Sequence, residues 1–168
     1  SSGWTRSISF SLHVTSTLPI SKVPVYEQEN SPFYKPHVLL ATYVFRFNVN
    51  IPPLNDARVR RALAMAIDRE AIVRDVMKGG QIAAGNFCPP NVAGFTATAG
   101  VRTDLAGARQ LLAEAGFPAG QGFPKLDLLF NTNEGHRQIA EAVQQMWRRN
   151  LGIDIGLFMS GIVVIESV

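Results

Sequence analysis

The residues of this chain best suited to bind a ligand lie in the stretch FNTNEGHRQ, from Phe130 to Gln138. A strand is predicted to end here and a helix to begin, with Thr132 or Asn133 as the helix cap. The first backbone N–H groups of a helix have no partners within it, so they favour an anion. His136 falls in the first turn, where a neutral imidazole can donate a hydrogen bond to a ligand carboxylate. A solvent-facing residue of that turn is an equally good interpretation.

Other residue types that bind metals or catalyse reactions lack the spacing such sites need. The histidines 13, 37 and 136 are far apart, so no metal site is predicted. Glu134 and His136 can be written as an acid–base pair, but a strand-to-helix turn supplies such a pair by chance. Cys88 precedes a proline pair and is interpreted as a small buried residue rather than a nucleophile. We therefore expect no enzyme activity, no metal and no cofactor.

Arginines crowd the segment from Pro52 to Gly80 and raise the alternative of a small basic nucleic-acid-binding domain. They are spread around the predicted helix, with acidic residues among them, so a solvated helix surface is favoured over a phosphate-binding face. The formal net charge is only +3. The glycines 116, 120 and 122 lack the Gly-Lys-Ser/Thr ending of a phosphate loop. We therefore expect no nucleic-acid partner.

The elements that position these residues are read from hydrophobic spacing. Apolar residues recur at helical steps from Val59 to Met77, with Asp56 as the predicted N-cap. Asp68 is predicted to cap a second helix after a bend, and Gly79–Gly80 to end it. Beyond this, the sequence predicts a helix over 104–115, a strand over 125–132, a helix over 135–150 and a final strand over 151–159. Strand, helix and strand in this order predict a βαβ unit with a parallel pair.

The region before these elements has a different composition. Prolines recur in residues 1–37, which are predicted to be irregular and poorly packed. Residues 38–50 are rich in β-branched and aromatic residues, and their alternation around Tyr43 and Phe45 is typical of a strand. The chain of 168 residues is 46% hydrophobic and 17% charged, which is typical of a globular domain. No apolar run approaches the roughly 20 residues that a membrane span needs.

Several long motifs resemble one protein family. The stretch TYVFRFNVNIPPLNDARVRRALAMAIDREAIV resembles the most recognisable part of the family 5 extracytoplasmic solute-binding proteins, the oligopeptide- and dipeptide-binding proteins of ABC importers. Three further stretches agree in order and spacing: HVTSTLPISKVPVYEQ, GNFCPPNVAGF and ARQLLAEAGFPAGQGFPKLDLLFNTNEGHRQIAEAVQQMWRRNLGIDI. The resemblance covers about residues 13–158.

The resemblance implies an α/β fold, as a fragment of a two-lobed periplasmic-binding-protein-like structure with a mixed sheet flanked by helices. Residues 1–37 would be an irregular remnant of the first lobe, and 38–50 a crossover strand. Residues 51–158 would form the first half of the second, ligand-binding lobe. Residues 159–168 form a divergent tail, because the family's Asn-x-Glu-Trp pattern does not follow LGIDI here. The family's acidic anchor for a peptide amino terminus would lie beyond this chain.

The function implied is solute capture for peptide transport by an ABC transporter, with a peptide held extended between two lobes. The implied partners are the peptide and the permease subunits of the transporter. The location would be periplasmic or extracytoplasmic, with membrane contact only through the permease or a lipid anchor outside this chain. The same scaffold binding another solute, such as a sugar oligomer or a metal chelate, is the alternative.

The resemblance also implies ligand-binding residues. His136, with Asn133 beside it, would meet the carboxyl end of the peptide. Tyr43 and Phe45 would belong to an aromatic cluster on the crossover strand that can face the ligand. Lys78 lies near a family lysine that also meets the carboxyl end, although its local spacing differs by one residue. Because the acidic anchor for the peptide amino terminus would lie beyond this chain, residues 1–168 alone are expected to bind peptide weakly or not at all.

Overall fold

The computed structural model describes residues 20–28, 34–35, 40–89, 92 and 94–160. A 3₁₀ turn, Ile20–Lys22, leads into the first helix. The α-helices are α1 (Val23–Gln28), α2 (Ala57–Met65), α3 (Arg69–Ala71), α4 (Leu105–Glu114) and α5 (Glu134–Leu151). A π-helix, Ile72–Met77, continues α3, and a second 3₁₀ turn, Pro118–Gly120, follows α4. The strands are β1 (Asp127–Phe130) and β2 (Gly156–Met159).

Carboxylate side chains set the starts of three helices, because they accept hydrogen bonds from N–H groups that have no partner within the helix. Asp56 Oδ1 accepts from the Arg58 backbone N at 2.8 Å at the start of α2. Asp68 Oδ1 accepts from the Ala71 backbone N at 2.9 Å at the start of α3. Asp104 caps α4 in the same way. The predicted caps Asp56 and Asp68 are thereby confirmed.

The end of the second helical stretch differs from the prediction. The residue that ends the helix in the left-handed conformation is Lys78, before the glycine pair, with φ 50° and ψ 19°. Its backbone N–H donates to the Val73 carbonyl at 3.0 Å. That bond spans one residue more than an α-helical bond, so the widened π turn closes the helix at Met77, before Gly79 is reached.

Helix α1 contradicts the prediction that residues 1–37 are irregular throughout. Pro24 is the second residue of this helix, where the missing N–H costs nothing because helix starts leave their N–H groups unpaired. Val23 is buried, and Tyr26 stacks on Tyr34 with ring centroids 6.4 Å apart. Residues 1–19, 29–33 and 36–37, which include Pro32 and Pro36, lie outside the described residues.

The strands and α5 form the predicted βαβ unit. β1 and β2 pair in parallel, with Asp127 opposite Gly156 and Phe130 opposite Met159. Helix α5 lies between them in the chain and packs its apolar face on them. Within the described part of the chain the sheet has these two strands alone, so the antiparallel pairing of a mixed sheet is not seen there.

The structure describes residues 40–50 of the predicted crossover strand. Residues 40–48 pair with no strand, and 49–50 form a turn. Its burial nevertheless alternates with strand spacing. Phe45 and Phe47 are half-buried and pack against the core, whereas Arg46 and Asn48 are exposed. The aromatic alternation thus matches the burial of Phe45 and Phe47, whereas Tyr43 is 45% exposed. The pairing partner that a strand needs is missing from the described residues.

The core lies where α2, α4 and α5 meet. Side chains with almost no exposure fill it: Val59, Ala62, Leu63, Ala108, Leu112, Val143, Leu151 and Ile153. Trp147 of α5 donates its indole N–H to the Leu63 carbonyl at 2.8 Å, which joins α5 to α2. This bond fixes the position of α5 in the core. Phe45 and Phe47 pack against the same core, so the turn before α5 is held in a defined place relative to residues 40–48.

The arginines of α2 and the π-helix lie on the surface, as the sequence predicts. Arg58 pairs with Asp56 at 2.6 Å and Arg74 with Asp75 at 2.7 Å. Arg58 also donates to the Glu114 carbonyl at the end of α4. The guanidinium groups of Arg58 and Arg74 are thus bonded to other groups of the protein. This agrees with a solvated helix surface rather than a phosphate-binding face.

Candidate ligand-binding site

The turn between β1 and α5 holds His136 through the side chain of Asn131. Asn131 Oδ1 accepts from the Asn133 backbone N at 3.1 Å and lies 2.7 Å from His136 Nδ1. A backbone N–H can only donate, so the oxygen of this amide must be the atom that faces both groups. An amide oxygen can only accept, and Nδ1 of His136 must therefore carry the proton.

Tyr43 covers one face of the same imidazole. The two rings are stacked, with centroids 4.3 Å apart and planes inclined by 22°. Phe45 contacts Tyr43 edge to face, with centroids 5.4 Å apart. Tyr43 remains 45% exposed, so the stack is open to solvent on its outer side. Residues 40–48 are thus held against the first turn of α5 by aromatic contacts.

Burial sets the charge state of both rings. It lowers the pKa of the His136 imidazole, because the cation loses more hydration than the neutral ring. His136 is therefore neutral at pH 7. Burial raises the pKa of the Tyr43 phenol for the corresponding reason, since the phenolate is the charged form. The site presents uncharged aromatic groups to a ligand.

The geometry contradicts one expectation about His136. Its place in the first turn of the helix predicts a neutral imidazole that donates a hydrogen bond to a ligand carboxylate. The single proton of the neutral ring lies on Nδ1 and is donated to Asn131, so Nε2 carries a lone pair. Nε2 has no partner in the described part of the chain. A neutral His136 can accept a hydrogen bond from a ligand but cannot donate one.

Asn133 is the N-cap of α5, which confirms one of the two predicted caps. Its Oδ1 accepts from the backbone N of Gly135 at 2.9 Å and of His136 at 3.2 Å. The side-chain oxygen is thus occupied within the turn, and two of the N–H groups expected to favour an anion are already bonded to it. Asn133 shapes the turn that carries His136, with only its exposed NH₂ group left for a ligand.

Lys78 lies in a different place from the stacked rings. It lines an open depression of about 470 Å³ together with Ser21, Pro24, Asp75, Val76, Gln138 and Glu141. His136, Tyr43 and Phe45 are not among these residues. Of the five predicted ligand-binding residues, the structure brings four to the start of α5 and places Lys78 beside its second turn, near Gln138 and Glu141.

Asn131 is the residue of the site that sequence reasoning missed. It lies five positions before His136, so no helical or strand period relates the two side chains. The available signal was the sequence NTN after a strand, in which the first asparagine can accept from the backbone two residues on. That local pattern predicts an Asx turn, but it does not predict that the same oxygen also holds a histidine ring.

The described residues contain no group of three His, Cys, Asp or Glu side chains placed to hold a metal ion. Cys88 is half-buried with a free thiol. Among the helices described, none combines the length and the apolar character required to cross a bilayer.

Comparison with known proteins gives the family. The oligopeptide-binding protein OppA of Bacillus subtilis is 33% identical over 147 residues, which cover 83% of this chain and 27% of that protein. The periplasmic murein peptide-binding protein MppA of Escherichia coli is 40% identical over 124 residues, 70% of this chain and 23% of that protein. The crystal structure of Haemophilus influenzae OppA with the peptide RPPGFSPFR matches 87% of this chain and 30% of its own, with TM-score 0.71 and 25% identity.

These matches confirm the α/β fold class, as a fragment of a periplasmic-binding-protein structure. The chain spans about a quarter of the length of the curated relatives it matches. The family model of bacterial extracellular solute-binding proteins, family 5, Middle, matches residues 9–157. The match includes residues 40–48, the turn at Asn131 and the first turn of α5, so the site described above lies inside it. The chain belongs to the family 5 bacterial extracellular solute-binding proteins.

Proposed function

We propose that this chain forms one wall of a peptide-binding cleft in a solute-capture protein that supplies an ABC importer. One observation carries the proposal: residues 40–47 have no backbone hydrogen-bond partner in the described part of the chain, and the ring of Tyr43 in this segment lies against His136. An unpaired backbone flanked by aromatic rings suits an extended peptide, which adds main-chain hydrogen bonds as a new strand would.

The relatives support a peptide over other solutes. Two of them are named for binding oligopeptides and murein peptides, and a third was crystallised with a nine-residue peptide whose sequence mixes basic, aromatic and proline residues. Main-chain recognition explains how one cleft accepts different side chains, because backbone groups are common to all peptides. The exposed, uncharged stack of Tyr43 and His136 fits this use.

The remaining features of the proposed function follow from this role. The protein acts outside the cytoplasm, in the periplasm or held at the membrane by a lipid anchor, and passes peptide to permease subunits for transmembrane transport. Capture requires no bond to be broken, so no catalytic group and no cofactor take part. Tyr43, Phe45 and His136 contact the peptide, Asn133 shapes their turn, and Lys78 provides a cation farther along α5.

The first test removes one of the stacked rings from the full-length protein. Tyr43→Ala should weaken the binding of short peptides about tenfold, which is about 1.4 kcal/mol, because a buried aromatic contact is lost. Calorimetry measures the change. Tyr26→Ala is the matched control, since Tyr26 is 39% exposed against 45% for Tyr43 but its ring stacks on Tyr34 rather than on His136. Equal effects of the two substitutions would contradict a ligand contact for Tyr43.

A second measurement identifies the ligand class. Native mass spectrometry of the purified full-length protein should find co-purified peptides. Sugar oligomers or metal chelates in their place would support the alternative use of the same scaffold. Binding of nucleic acid that weakens steeply with salt would instead support the basic-domain alternative.

A further inference from the structure

We propose that Met146 is a site of reversible oxidation, whose sulfoxide holds the bend between α2 and α3 more firmly than the thioether does. The bend comprises residues 66–68. The backbone N–H of Asp68 donates to Met146 Sδ at 3.4 Å, across 78 positions of the chain. The inference concerns a residue outside the proposed peptide site and does not depend on the proposed function.

Bonds from two other parts of the chain hold this bend in place. The Ala66 carbonyl accepts from the side-chain amide of Asn150 at 3.1 Å. The Ile67 carbonyl accepts from the Thr103 hydroxyl at 2.9 Å. Both of these bonds use oxygen acceptors, whereas the N–H of Asp68 is paired with sulfur, and a thioether is a weak acceptor. The bond to sulfur is therefore the weakest of the three.

A hydrogen bond to its sulfur distinguishes Met146 from the other methionines, Met65, Met77 and Met159. Met65 and Met77 also pack against the core, but no N–H or O–H in the described part of the chain donates to their sulfur. Met159 is 57% exposed. An oxygen added to a core methionine ordinarily disrupts the packing, because a polar group is buried without a partner. At Met146 a donor is already in place beside the sulfur.

The oxidant is hydrogen peroxide, which is small enough to reach a half-buried side chain such as Met146. Its O–O bond breaks and one oxygen atom forms a bond to Sδ, so the sulfur loses two electrons and the second oxygen leaves as water. The flexible side chain then turns the new oxygen toward the Asp68 N–H, which binds oxygen more strongly than thioether sulfur. A methionine sulfoxide reductase reverses the step, with two thiols as the reductant.

The test measures hydrogen exchange at the Asp68 amide before and after the full-length protein is treated with hydrogen peroxide. Peptide mass mapping should find one added oxygen atom on Met146. The Asp68 amide should then exchange about fivefold more slowly, as a modest gain in hydrogen-bond strength gives. Treatment with the reductase should restore the original rate. Resistance of Met146 to peroxide in the folded protein would overturn the inference, as would unchanged or faster exchange at Asp68 once Met146 is oxidised.

Met146→Leu is the matched control, because leucine fills a similar volume without an acceptor. The Asp68 amide should exchange faster in this variant than in the untreated protein, and peroxide should leave its rate unchanged. Equal slowing by peroxide in Met146→Leu would show that oxidation elsewhere causes the effect, and the assignment to Met146 would be wrong.

Met146→Gln supplies a side-chain oxygen at the same position without oxidation. Exchange at Asp68 in this variant should match that of the oxidised protein and should not respond to peroxide. Exchange as fast as in Met146→Leu would contradict the stronger bond to oxygen on which the inference depends.

Discussion

At the scale of single residues, the properties of His136 are decided by a neighbour rather than by its place at the start of a helix. The helix start suggested a ring that donates to an anion. The Nδ1–H of His136 is donated to Asn131, and Asn133 accepts from two of the N–H groups that an anion would use. With these bonds made, the helix start offers a ligand the Nε2 acceptor of His136 rather than a general site for anions.

The charge state of His136 has a consequence for stability. Its pKa is about 6.5 in the unfolded chain and lower in the folded one. In the interval between these values the unfolded state binds more protons, so the free energy of unfolding should fall as the pH is lowered from about 6.5 toward the folded pKa. Above that interval the stabilisation is complete.

The measurement is urea unfolding at a series of pH values, for the protein and for His136→Phe. The difference between the two curves isolates His136 from the other histidines, 13 and 37. The substituted protein should show a flatter profile across this interval. Identical profiles would mean that the folded and unfolded pKa values of His136 are equal.

At the scale of elements, glycine 152 is required for two separable reasons. It ends α5 with φ +71°, and a Cβ there would meet the Ala119 carbonyl of the neighbouring 3₁₀ turn. Gly122 has nearly the same backbone, with φ +73°, but a Cβ there would meet nothing within 4 Å. The pair therefore separates backbone strain from steric clash.

We expect Gly122→Ala to lose about 1 kcal/mol of unfolding free energy, since only the left-handed backbone penalises it. Gly152→Ala should lose a further 1–3 kcal/mol, approximately, because the packed turn must move. Chemical denaturation of both variants measures the difference. Equal losses would show that the turn yields to a methyl group without cost.

The elements also show what a sequence can predict. The caps Asp56, Asp68 and Asn133 were predictable because a cap depends on residues two or three positions away. Helix α1 was missed because prolines were taken to prevent any helix, whereas Pro24 lies in the first turn, where proline is tolerated. Lys78 replaced the expected glycine because the π turn, which has no simple sequence signal, closes the helix early. The stack of Tyr43 on His136 joins residues far apart in the chain, so only the family resemblance pointed to it.

At the scale of the whole molecule, the chain supplies one wall of the proposed cleft. Residues 1–168 span about a quarter of the relatives' length, and a peptide resting on one open wall keeps much of its surface in water. We expect residues 1–168 alone to bind peptide at least a hundredfold more weakly than the full-length protein, or about 2.7 kcal/mol. Calorimetry on both forms gives the comparison, and affinities that agree within about tenfold would contradict it.

The two-stranded sheet has a consequence of its own. Leu129 and Phe158 are adjacent in register, 61% and 58% exposed, and each strand has an edge that no other strand covers in the described part of the chain. Such edges can pair with strands of other molecules. The isolated 168-residue chain should therefore self-associate as its concentration rises, which light scattering over a dilution series would detect. Leu129→Lys should reduce it, because a charge on the exposed face resists stacking of two such sheets.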